Sequence, residues 1–597
     1  MLENGLERHY AAVDIETKGL IVGGVIPPIL CVSIATDDRV EECLPWSEET
    51  KATLQRVFDT YIPIFHNASF DVRILRDAGL CIDRYIDTMI LSYVWHPGGG
   101  HRLEDWGWKL EFPKLEKPWE GDYPEVYSEA LHDYCLQDAR LTLQTFYELR
   151  KLFVVDTRAA KLAKTIETPF ADIIMEMEAN GLCVDISKLQ ELDTKLQSRL
   201  AEIEAELTQM CPLVPYKMKH LVNRMKDESG HVYDGEVVVE GKLRHQYRAL
   251  EPFCHTKATH KIHLLKQSGW EPTEFTKRGE PVTDAETLSA LPGRAAELLL
   301  EAAKLSKLLS TFVTNFGKLV VKRGDVYRLY GSFNQCVTVT GRLSSSKPNL
   351  QNIPSRGEMG SLIRGLFIAP PGHLLIDGDL SNIEARILAF VLWKVCGDDA
   401  LVKVFQDGGD FHSYNQERWK LEQRVHAKTV LFSIVYGAGA GTVAARTGKT
   451  LEEAEAILEQ VAESTPSIAK AKAILINKCR NDKGVIHTLF GRRLCYPAIM
   501  AKSSEARARA ERQIFNAIIQ GTSADILKRL TLEALPLIRN SSAKILLELH
   551  DEMLLECRED RAEELAQDLT KIFNTDLLRP VPVLAEFRTG QTWKDAH

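Results

Sequence analysis

The chain has 597 residues, a formal net charge of −9 at neutral pH, 45% hydrophobic residues and 26% charged residues. This balance excludes an intrinsically disordered chain, and the length suits several domains rather than one core. The sequence contains no apolar run near the ~20 residues that cross a bilayer, and Met1 to Tyr10 lack the apolar segment of a signal peptide, so we expect a cytoplasmic protein without a membrane partner.

The elements predicted along the chain change in character twice. Residues 1 to 157 alternate short β-rich runs with helical stretches, as in an α/β domain, with strands at 11–14 and 29–34. Residues 158 to 330 are mostly helical, with heptad-like apolar spacing at 189–210 and 295–321. Strands return at 374–379 and in a hairpin of 545–549 and 553–556, with helices between them. The expected fold class is α/β and α+β, in several domains.

The cysteines and the basic residues set two further expectations. Twelve cysteines lie far apart in the sequence without a C-x-x-C pair, which indicates reduced thiols rather than a disulfide framework or a zinc ribbon. The net charge argues weakly against a nucleic-acid partner, but binding depends on local patches. Residues 217–266 and 502–512 are locally basic, although a solvated surface explains either stretch equally well.

Four carboxylates in the first domain form a pattern typical of a metal-dependent nuclease. Asp14 and Glu16 alternate on a predicted strand and share one face, Asp71 follows, and Tyr134 and Asp138 lie four residues apart on one helical face. Converging carboxylates repel one another unless divalent cations lie among them. Two metal ions ~3.5–4 Å apart would activate a water that Tyr134 orients. A lone D-x-E pair also occurs at solvated strand ends, so the inference depends on all three elements together.

Carboxylates at two distant places in the C-terminal half suit nucleotidyl transfer. Asp377 and Asp379 end a predicted buried strand, and His550, Asp551 and Glu552 form a turn between two others. Two Mg²⁺ ions between Asp379 and Asp551 would lower the pKa of a primer 3′-OH and hold a triphosphate. The spacing assigns no definite role to Asp377 or Glu552.

A predicted helix between these carboxylates carries a stripe of cations and aromatic residues. Arg424, Lys428, Phe432 and Tyr436 recur every four residues. The cations suit the phosphates of a nucleoside triphosphate, and the aromatic rings suit the incoming base and the template. An ordinary amphipathic helix would explain such a stripe taken by itself.

Several segments resemble the motifs of family A DNA polymerases. They are residues 340–345, 348–354, 379–386, 410–413, 424–437, 520–525, 550–552 and the tail 590–597. The N-terminal carboxylates, with Asp87-Thr88-Met89 and His101-x-Leu103 between them, resemble the tyrosine-containing proofreading exonucleases of the DEDD superfamily. The resemblance implies an RNase H-like 3′-5′ exonuclease domain followed by a right-hand polymerase with palm, fingers and thumb.

The resemblance also implies domain limits and an activity. It places the exonuclease at 1–157, the thumb and connecting helices at 158–330, the palm at 331–395 and 521–597, and the fingers at 396–520. It implies DNA synthesis from dNTPs on primer–template DNA, with two Mg²⁺ ions, replaceable by Mn²⁺, at each active site. It names no helicase, primase or processivity factor. Without room for a 5′-nuclease domain, and with Lys428-Thr429 and residues 436–439, the chain looks most like a bacteriophage replicative polymerase acting in the host cytoplasm.

Residue roles follow from the resemblance. It implies that Asp379 and Asp551 bind the metals, that Glu552 supports them, and that Glu384 excludes the ribose 2′-OH. The residues that would contact the dNTP are Arg424, Lys428, Phe432, Tyr436 and His412. The residues that would contact DNA are Arg342, Asn516 and Gln520 in the minor groove, where acceptors are common to all correct pairs, together with Arg512 and His550. The basic middle of the thumb segment would follow phosphates without reading sequence.

Some residues depart from the family pattern. Leu380 and Ala385 replace an aromatic residue and a leucine, and Ser433 stands where glycine is frequent. The resemblance therefore does not predict that this chain copies DNA with the family's fidelity. Asp377 has no family counterpart. Three histidines of the thumb segment, with Cys254 beside them, are candidate zinc ligands, but their spacing fits no standard zinc finger; they are His255, His260 and His263.

Two other functions compete with this interpretation. One is a phage-type single-subunit RNA polymerase, against which the exonuclease pattern and Glu384 argue. The other is a non-catalytic DNA-binding or scaffold protein descended from a polymerase, against which the intact carboxylates argue.

Overall fold

The computed structural model describes residues 9–217, 233–239, 242–276, 278–354, 357–436 and 439–597, without the side chains of 216–249, Phe432, Val435 and Tyr436. Two compact units are present: the chain up to Val184 joined by the chain from Val320 onward, and Asp185–Leu319. The second unit lies inside the segment 158–330, whose two ends belong to the first unit. The division into fingers, palm and thumb stays a prediction. Within the described ranges, no helix is both long enough and apolar enough to span a bilayer.

The N-terminal part of the first unit is a mixed sheet packed against helices. Its strands are β1 (Tyr10–Thr17), β2 (Ile29–Thr36), β3 (Glu41–Pro45), β4 (Ile62–Phe65) and β5 (Ile86–Asp87). Its helices are α1 (Glu48–Thr60), α2 (Ala68–Asp77), α3 (Thr88–Trp95), α4 (Leu103–Lys109) and α5 (Glu129–Val155). The strand order is β3-β2-β1-β4-β5, with β1 antiparallel to β2 and parallel to β4. Both strands predicted here are confirmed.

Alternation along β1 separates the core from the carboxylates. Ala11, Val13 and Ile15 face a cluster of buried apolar residues on one side of the sheet. Because successive side chains of a strand point to opposite faces, Asp14 and Glu16 face the other side, against which α5 packs.

A short connection joins this sheet to the rest of the unit. It contains α6 (Thr157–Leu162), a π-helical turn (Ala163–Glu167), α7 (Thr168–Asn180) and β6 (Leu182–Val184). The second unit follows with α8 (Ile186–Met210), β7 (Leu213–Lys217), β8 (Tyr233–Val239), β9 (Lys242–Pro252), α9 (Ala258–Gln267), α10 (Ala285–Ala290), α11 (Arg294–Leu308), a π-helical turn (Leu309–Val313) and α12 (Thr314–Leu319). Its core packs α8, α9 and α11 through Ile203, Leu207, Leu264 and Leu298, so the two predicted heptad patterns are confirmed as helices.

The chain then returns to the first unit, largely as β-structure. The elements are β10 (Val321–Arg323), β11 (Val326–Leu329), β12 (Ser332–Asn334), β13 (Ser344–Ser346), a 3₁₀ turn (Leu350–Asn352), α13 (Gly357–Arg364) and β14 (His373–Leu380). Strand β11 pairs with β6, which ties the connection to this part of the unit.

A helical stretch separates β14 from its partner strands. The elements are α14 (Ile383–Cys396), α15 (Ala400–Gln406), α16 (Phe411–Arg418), α17 (Arg424–Tyr436), α18 (Ala440–Thr447), α19 (Leu451–Ser464), α20 (Pro466–Asn481), β15 (Val485–His487), β16 (Arg493–Cys495), a 3₁₀ turn (Pro497–Met500) and α21 (Ser504–Asn540). The chain ends with β17 (Lys544–Leu549), β18 (Glu552–Arg558), α22 (Glu559–Phe573), β19 (Ala585–Gly590) and α23 (Trp593–Ala596).

An antiparallel sheet gathers the predicted catalytic strands. Its order is β17-β18-β14-β19, so β14 lies between β18 and β19. The predicted strands at 374–379, 545–549 and 553–556 are confirmed, each extended by one to three residues.

Buried ion pairs join the connection to α21. Lys528 Nζ lies 3.0 Å from Glu167 Oε2, and Arg492 contacts Glu167 and lies 2.7 Å from Asp525 Oδ1. Burial by itself raises the pKa of Glu167, but Arg492 and Lys528 outweigh it and hold that pKa at about 2. Gly341 has φ +88°, and a Cβ there would overlap the guanidinium of Arg492. The cluster therefore supports the loop that carries Arg342.

Loss of one partner from this cluster should destabilise the first unit. We expect Lys528→Ala to cost about 3–5 kcal/mol, because it leaves the fully buried Glu167 with less compensation. The neighbouring Arg529 forms an exposed i,i+4 pair with Glu533, so Arg529→Ala should cost only about 0.3–0.5 kcal/mol. Urea unfolding monitored by circular dichroism compares the two variants, and equal midpoints would contradict the assigned role of Lys528.

Candidate active sites

Carboxylates from three elements of the N-terminal sheet domain converge. Oxygen atoms of Asp14, Glu16 and Asp138 lie within 4.8 Å of one another. Asp71 Oδ1 accepts a hydrogen bond of 3.3 Å from the backbone N–H of Ile15, between the two β1 carboxylates. The structure therefore brings together the four carboxylates that the sequence selected, and their metal-binding role stays a prediction.

Local hydrogen bonds explain why Asp71 reaches this place. Asp87, the N-cap of α3, accepts bonds from the backbone N–H groups of Asn67 and Ala68 at 3.1 and 2.8 Å, and from Met89 N–H at 2.8 Å. Because these bonds fix the start of α2, the first turn of α2 directs Asp71 toward β1. The resemblance had marked Asp87 without a role, and the structure shows it as an anchor.

Lys114 is a site residue that the sequence did not reveal. Its Nζ lies 2.5 Å from Asp138 Oδ2 and 5.1 Å from the centroid of the Tyr134 ring. Tyr134 and Asp138 thus share one face of α5, as the i,i+4 spacing predicts. Lys114 lies between α4 and α5 in a segment without periodicity, so no local pattern marks it.

Burial and mutual repulsion make these carboxylates weak acids. Burial first, and then Asp138, raise the pKa of Glu16 to about 7. Burial, Asp138, Asp71 and Glu16 raise the pKa of Asp14 well above its usual value. The pKa values of Asp71 and Asp138 are raised mainly by burial, against which Lys114 acts at Asp138. Such a cluster holds protons or cations at neutral pH, and its oxygen donors suit a hard divalent ion.

Metal binding here should therefore depend on pH. Because a bound cation requires ionised carboxylates, Mg²⁺ affinity should rise between about pH 6 and about pH 8, on either side of the pKa of about 7 for Glu16. Isothermal titration of Mg²⁺ into an Asp551→Ala variant would isolate this site, and an affinity independent of pH would contradict the raised pKa.

The second carboxylate group lies where β14 meets the β17–β18 turn. Asp379 pairs in register with Glu552, and Leu380 N–H donates to the Asp551 carbonyl oxygen at 2.9 Å. Burial, then Asp551 and Glu552, raise the pKa of Asp379 to about 7. Burial, partly offset by Arg342, raises the pKa of Asp551 to about 6. The two aspartates, far apart in the chain, lie together at the C-terminal end of the central strand β14.

Glu552 is held by two residues that the sequence did not select. Arg364 donates to both carboxylate oxygens of Glu552 at 2.8 and 2.9 Å, and Trp593 Nε1 donates to Oε1 at 2.7 Å. Burial by itself raises the pKa of Glu552, but Arg364 outweighs it and the pKa lies below its usual value. The resemblance of the tail 590–597 was the only signal for Trp593, and Arg364 had none.

Asp377 lies beside this group. Its Oδ2 is 2.9 Å from His597 Nδ1, and burial together with Glu552 raises its pKa to about 9. The structure therefore surrounds Asp379 with further carboxyl groups, each with a cationic or hydrogen-bonding partner.

The predicted nucleotide-binding helix is present as α17. Arg424 makes a bidentate contact with Asp410, at 2.9 and 2.6 Å, and this pairing holds α16 beside α17. His412 is buried on α16, and Lys428 lies on the stripe of Arg424, one turn farther along the helix. The side chains of Phe432 and Tyr436, both predicted to contact the nucleotide, lie outside the described residues.

The predicted DNA contacts lie on three elements. Arg342 Nη2 is 2.7 Å from Glu384 Oε1 at the start of α14. Arg512, Asn516 and Gln520 lie at intervals of four residues on α21 and share one face. His550 occupies the β17–β18 turn with φ 58°. Their roles toward DNA stay predictions.

The second unit has its own histidine contacts. His255 lies 3.0 Å from Ser306 Oγ and 3.1 Å from Glu204 Oε1. His260 lies 2.7 Å from Glu251 and accepts the Cys254 N–H. Of the basic stretch 217–266, the side chains up to Arg248 lie outside the described residues.

Comparisons with known proteins find a family match in each half of the chain. The profile described as DNA polymerase family A matches residues 255–595, and the profile described as 3'-5' exonuclease matches residues 1–153. "DNA polymerase I, thermostable" of Thermus filiformis is 30% identical over 531 residues, which cover 87% of this chain and 56% of that protein. DNA polymerase I of Chloroflexus aurantiacus is 30% identical over 603 residues, covering 96% and 59%. The chain thus spans a little more than half the length of these relatives.

A solved structure shares the fold. It is described as the POL domain of Pol1 from M. smegmatis in complex with DNA primer-template and dNTP, with 23% identity and a TM-score of 0.81. The similarity covers 99% of this chain and 96% of that one. The exonuclease domain followed by a polymerase I-like domain, expected from the sequence, is confirmed as the fold.

Proposed function

The chain belongs to DNA polymerase family A and carries a 3′-5′ exonuclease domain, and from this premise we propose that it extends DNA primers on a template and removes nucleotides from the 3′ end. The observation that carries the proposal is the proximity of Asp379, at the C-terminal end of β14, to Asp551 in the turn before β18. The separate cluster on β1, α2 and α5 supports the second activity.

For synthesis, Asp379 and Asp551 are the residues that would hold Mg²⁺. When bound, the ions lower the pKa of the primer 3′-OH and stabilise the leaving pyrophosphate. Glu552, fixed by Arg364 and Trp593, keeps the turn that carries Asp551 aligned with β14. Arg424 releases Asp410 to meet the triphosphate, together with Lys428.

For exonucleolysis, the four clustered carboxylates would hold the metal ions. Tyr134 orients the attacking water, and Lys114, which contacts both Tyr134 and Asp138, positions the phenol. Lys114 also neutralises part of the carboxylate charge, so the phosphodiester of a 3′ end meets less repulsion.

Primer extension tests the proposal directly. Purified protein with Mg²⁺ should extend a labelled primer opposite template bases from dNTPs and shorten single-stranded 3′ ends when dNTPs are left out. Extension from NTPs alone would favour an RNA polymerase, and DNA binding without either reaction would favour a non-catalytic scaffold.

Glu384 is the proposed determinant of sugar selection. Glu384→Ala removes bulk beside Arg342, so we expect ribonucleotide incorporation relative to deoxynucleotide incorporation to rise about 10- to 100-fold, the range for a lost steric contact in a pocket. Synthesis from dNTPs should also slow, because Arg342 loses its partner. The measurement is the ratio of kcat/KM values in an exonuclease-deficient background, with Glu422→Ala, which alters an exposed glutamate, as the control. An unchanged ratio would remove Glu384 from this role.

The biological setting is the replication of a bacteriophage genome in the cytoplasm of its bacterial host. Support comes from the resemblance around Lys428 and Tyr436, and the twelve free thiols accord with a reducing compartment. Mass spectrometry of infected cells should detect the chain only after infection, and its presence in uninfected cells would contradict the proposal.

A further inference from the structure

Three cysteines that are far apart in sequence meet inside the exonuclease domain. Cys31 on β2, Cys43 on β3 and Cys135 on α5 place their sulfur atoms within 4.8 Å of one another. All three are free thiols. Cys31 and Cys135 are fully buried, whereas Cys43, on the edge strand, is 6% exposed. Their separation in the sequence did not indicate this grouping, because the sheet and α5 gather residues from distant parts of the chain.

The backbone explains why the thiols face one another. In the β2–β3 register, Ser33 is opposite Cys43, and Cys31 lies two residues from Ser33 on the same face. Helix α5 crosses that face and is fastened there, because Ser33 Oγ donates to the Cys135 carbonyl oxygen at 2.8 Å. Strand pairing and the α5 contact therefore hold the three Sγ atoms in a compact group.

The dimensions and surroundings match a thiolate metal site. Thiolates bound to Zn²⁺ at about 2.3 Å lie roughly 3.8 Å from one another, which is within the observed span. Apolar side chains enclose the group, including Leu131, Leu136 and Trp119, and exclude competing water. Oxygen donors stand nearby: Cys135 Sγ lies 3.2 Å from Ser33 Oγ and 3.5 Å from Asp14 Oδ2. A tetrahedral ion could take Ser33 Oγ as its fourth ligand, which leaves Asp14 to the carboxylate cluster.

We propose that Cys31, Cys43 and Cys135 form a binding site for a thiophilic divalent cation such as Zn²⁺, separate from the carboxylate sites for Mg²⁺. Soft thiolate ligands select Zn²⁺ over Mg²⁺. Each thiol that binds the ion releases its proton to solvent. The bound ion cross-links α5 to β2 and β3, and so stabilises the element that carries Tyr134 and Asp138.

The proposal predicts an effect on one activity only. Because Cys135 contacts Asp14, occupation of the site should change the rate of 3′-end degradation. It should leave primer extension unaltered, since Asp379 lies on β14 of a different sheet and Asp551 in the β17–β18 turn of that sheet. This readout depends on the proposed function, whereas metal binding itself does not.

Cd²⁺ titration of the reduced full-length chain tests the site. With excess Mg²⁺ to fill the carboxylates, we expect a thiolate-to-metal charge-transfer band in the ultraviolet that saturates at a single ion per chain and disappears when Zn²⁺ displaces Cd²⁺. In Cys43→Ser the affinity should fall by more than the ~10–100-fold that loss of an outer-shell partner costs. Cys81→Ser, at an exposed cysteine, is the matched control and should bind as the wild type does.

The outcomes separate the alternatives. Absence of the band, or an equal band in Cys43→Ser, would overturn the proposal and leave the cysteines as small apolar packing residues. A mass decrease of two hydrogens on air oxidation, without metal binding, would overturn it in favour of a disulfide. Far-ultraviolet circular dichroism and a melting temperature equal to that of the metal-free wild type show that Cys43→Ser and Cys43→Ala fold. Normal Cd²⁺ binding by a chain that neither extends nor degrades DNA would refute only the proposed function.

Discussion

Replacing Asp551 with alanine is expected to abolish primer extension. Asp551 and Asp379, the proposed metal ligands, lie together at the C-terminal end of β14, so loss of one of them is expected to prevent metal binding between primer and triphosphate. A loss of several kcal/mol of transition-state stabilisation corresponds to a decrease in kcat on the order of 10³-fold or more. Single-turnover extension at saturating dNTP measures the decrease.

Binding of primer–template DNA should survive this substitution. Removing a buried negative charge reduces repulsion of the phosphates, and the proposed minor-groove residues are unchanged. Asp560→Ala, at an exposed aspartate on α22, is the matched control and should extend primers normally. Normal extension by Asp551→Ala would show that Asp551 does not bind metal, and loss of DNA binding would show that it acts on substrate affinity instead.

Replacing Asp14 and Glu16 together with alanine is expected to abolish degradation of single-stranded 3′ ends while primer extension continues. Both residues belong to the cluster on β1, α2 and α5, whereas the carboxylates proposed for synthesis, Asp379 on β14 and Asp551 in the β17–β18 turn, belong to a different sheet and its turn. Release of labelled nucleotide should fall on the order of 10³-fold, by the same loss of metal-assisted catalysis. Glu48→Ala with Glu49→Ala, at exposed positions on α1, should keep both activities.

The same double variant should change stability in the direction opposite to most active-site deletions. Folding raises the pKa of Glu16 to about 7 and that of Asp14 above its usual value, so ionisation of these groups destabilises the folded chain. With metal chelated, this penalty is absent below the usual carboxylate range and grows as pH rises through about 7. At higher pH, Asp14→Ala with Glu16→Ala should therefore melt above the wild type.

Loss of both activities in a correctly folded variant would refute the model of two independent sites.

Local patterns in the sequence were sufficient for the strands and helices that carry the carboxylates, but they did not predict the sheet of β7, β8 and β9 inside the segment expected to be mostly helical. Alternation placed Asp14 and Glu16 on one face of β1, and the i,i+4 spacing placed Tyr134 and Asp138 on one face of α5, because these periodicities are properties of the backbone itself. The motif resemblance pointed to family membership, which the profile matches establish. Asp379 and Asp551 were selected from the predicted strand and turn in which they lie and from the motif resemblance.

The tertiary structure alone determined which side chains from distant parts of the sequence form ion pairs or a group of neighbouring thiols. Lys114 beside Asp138, Arg364 on Glu552, Lys528 on Glu167, and the grouping of Cys31, Cys43 and Cys135 join residues from separate elements. No local period relates such partners, because their separation along the chain is set by how sheets and helices pack. Burial then raises or lowers their pKa values, since the loss of water strengthens every charge interaction. The sequence determined which candidate catalytic groups the chain contains, and packing determined which neighbouring residues set their positions and pKa values.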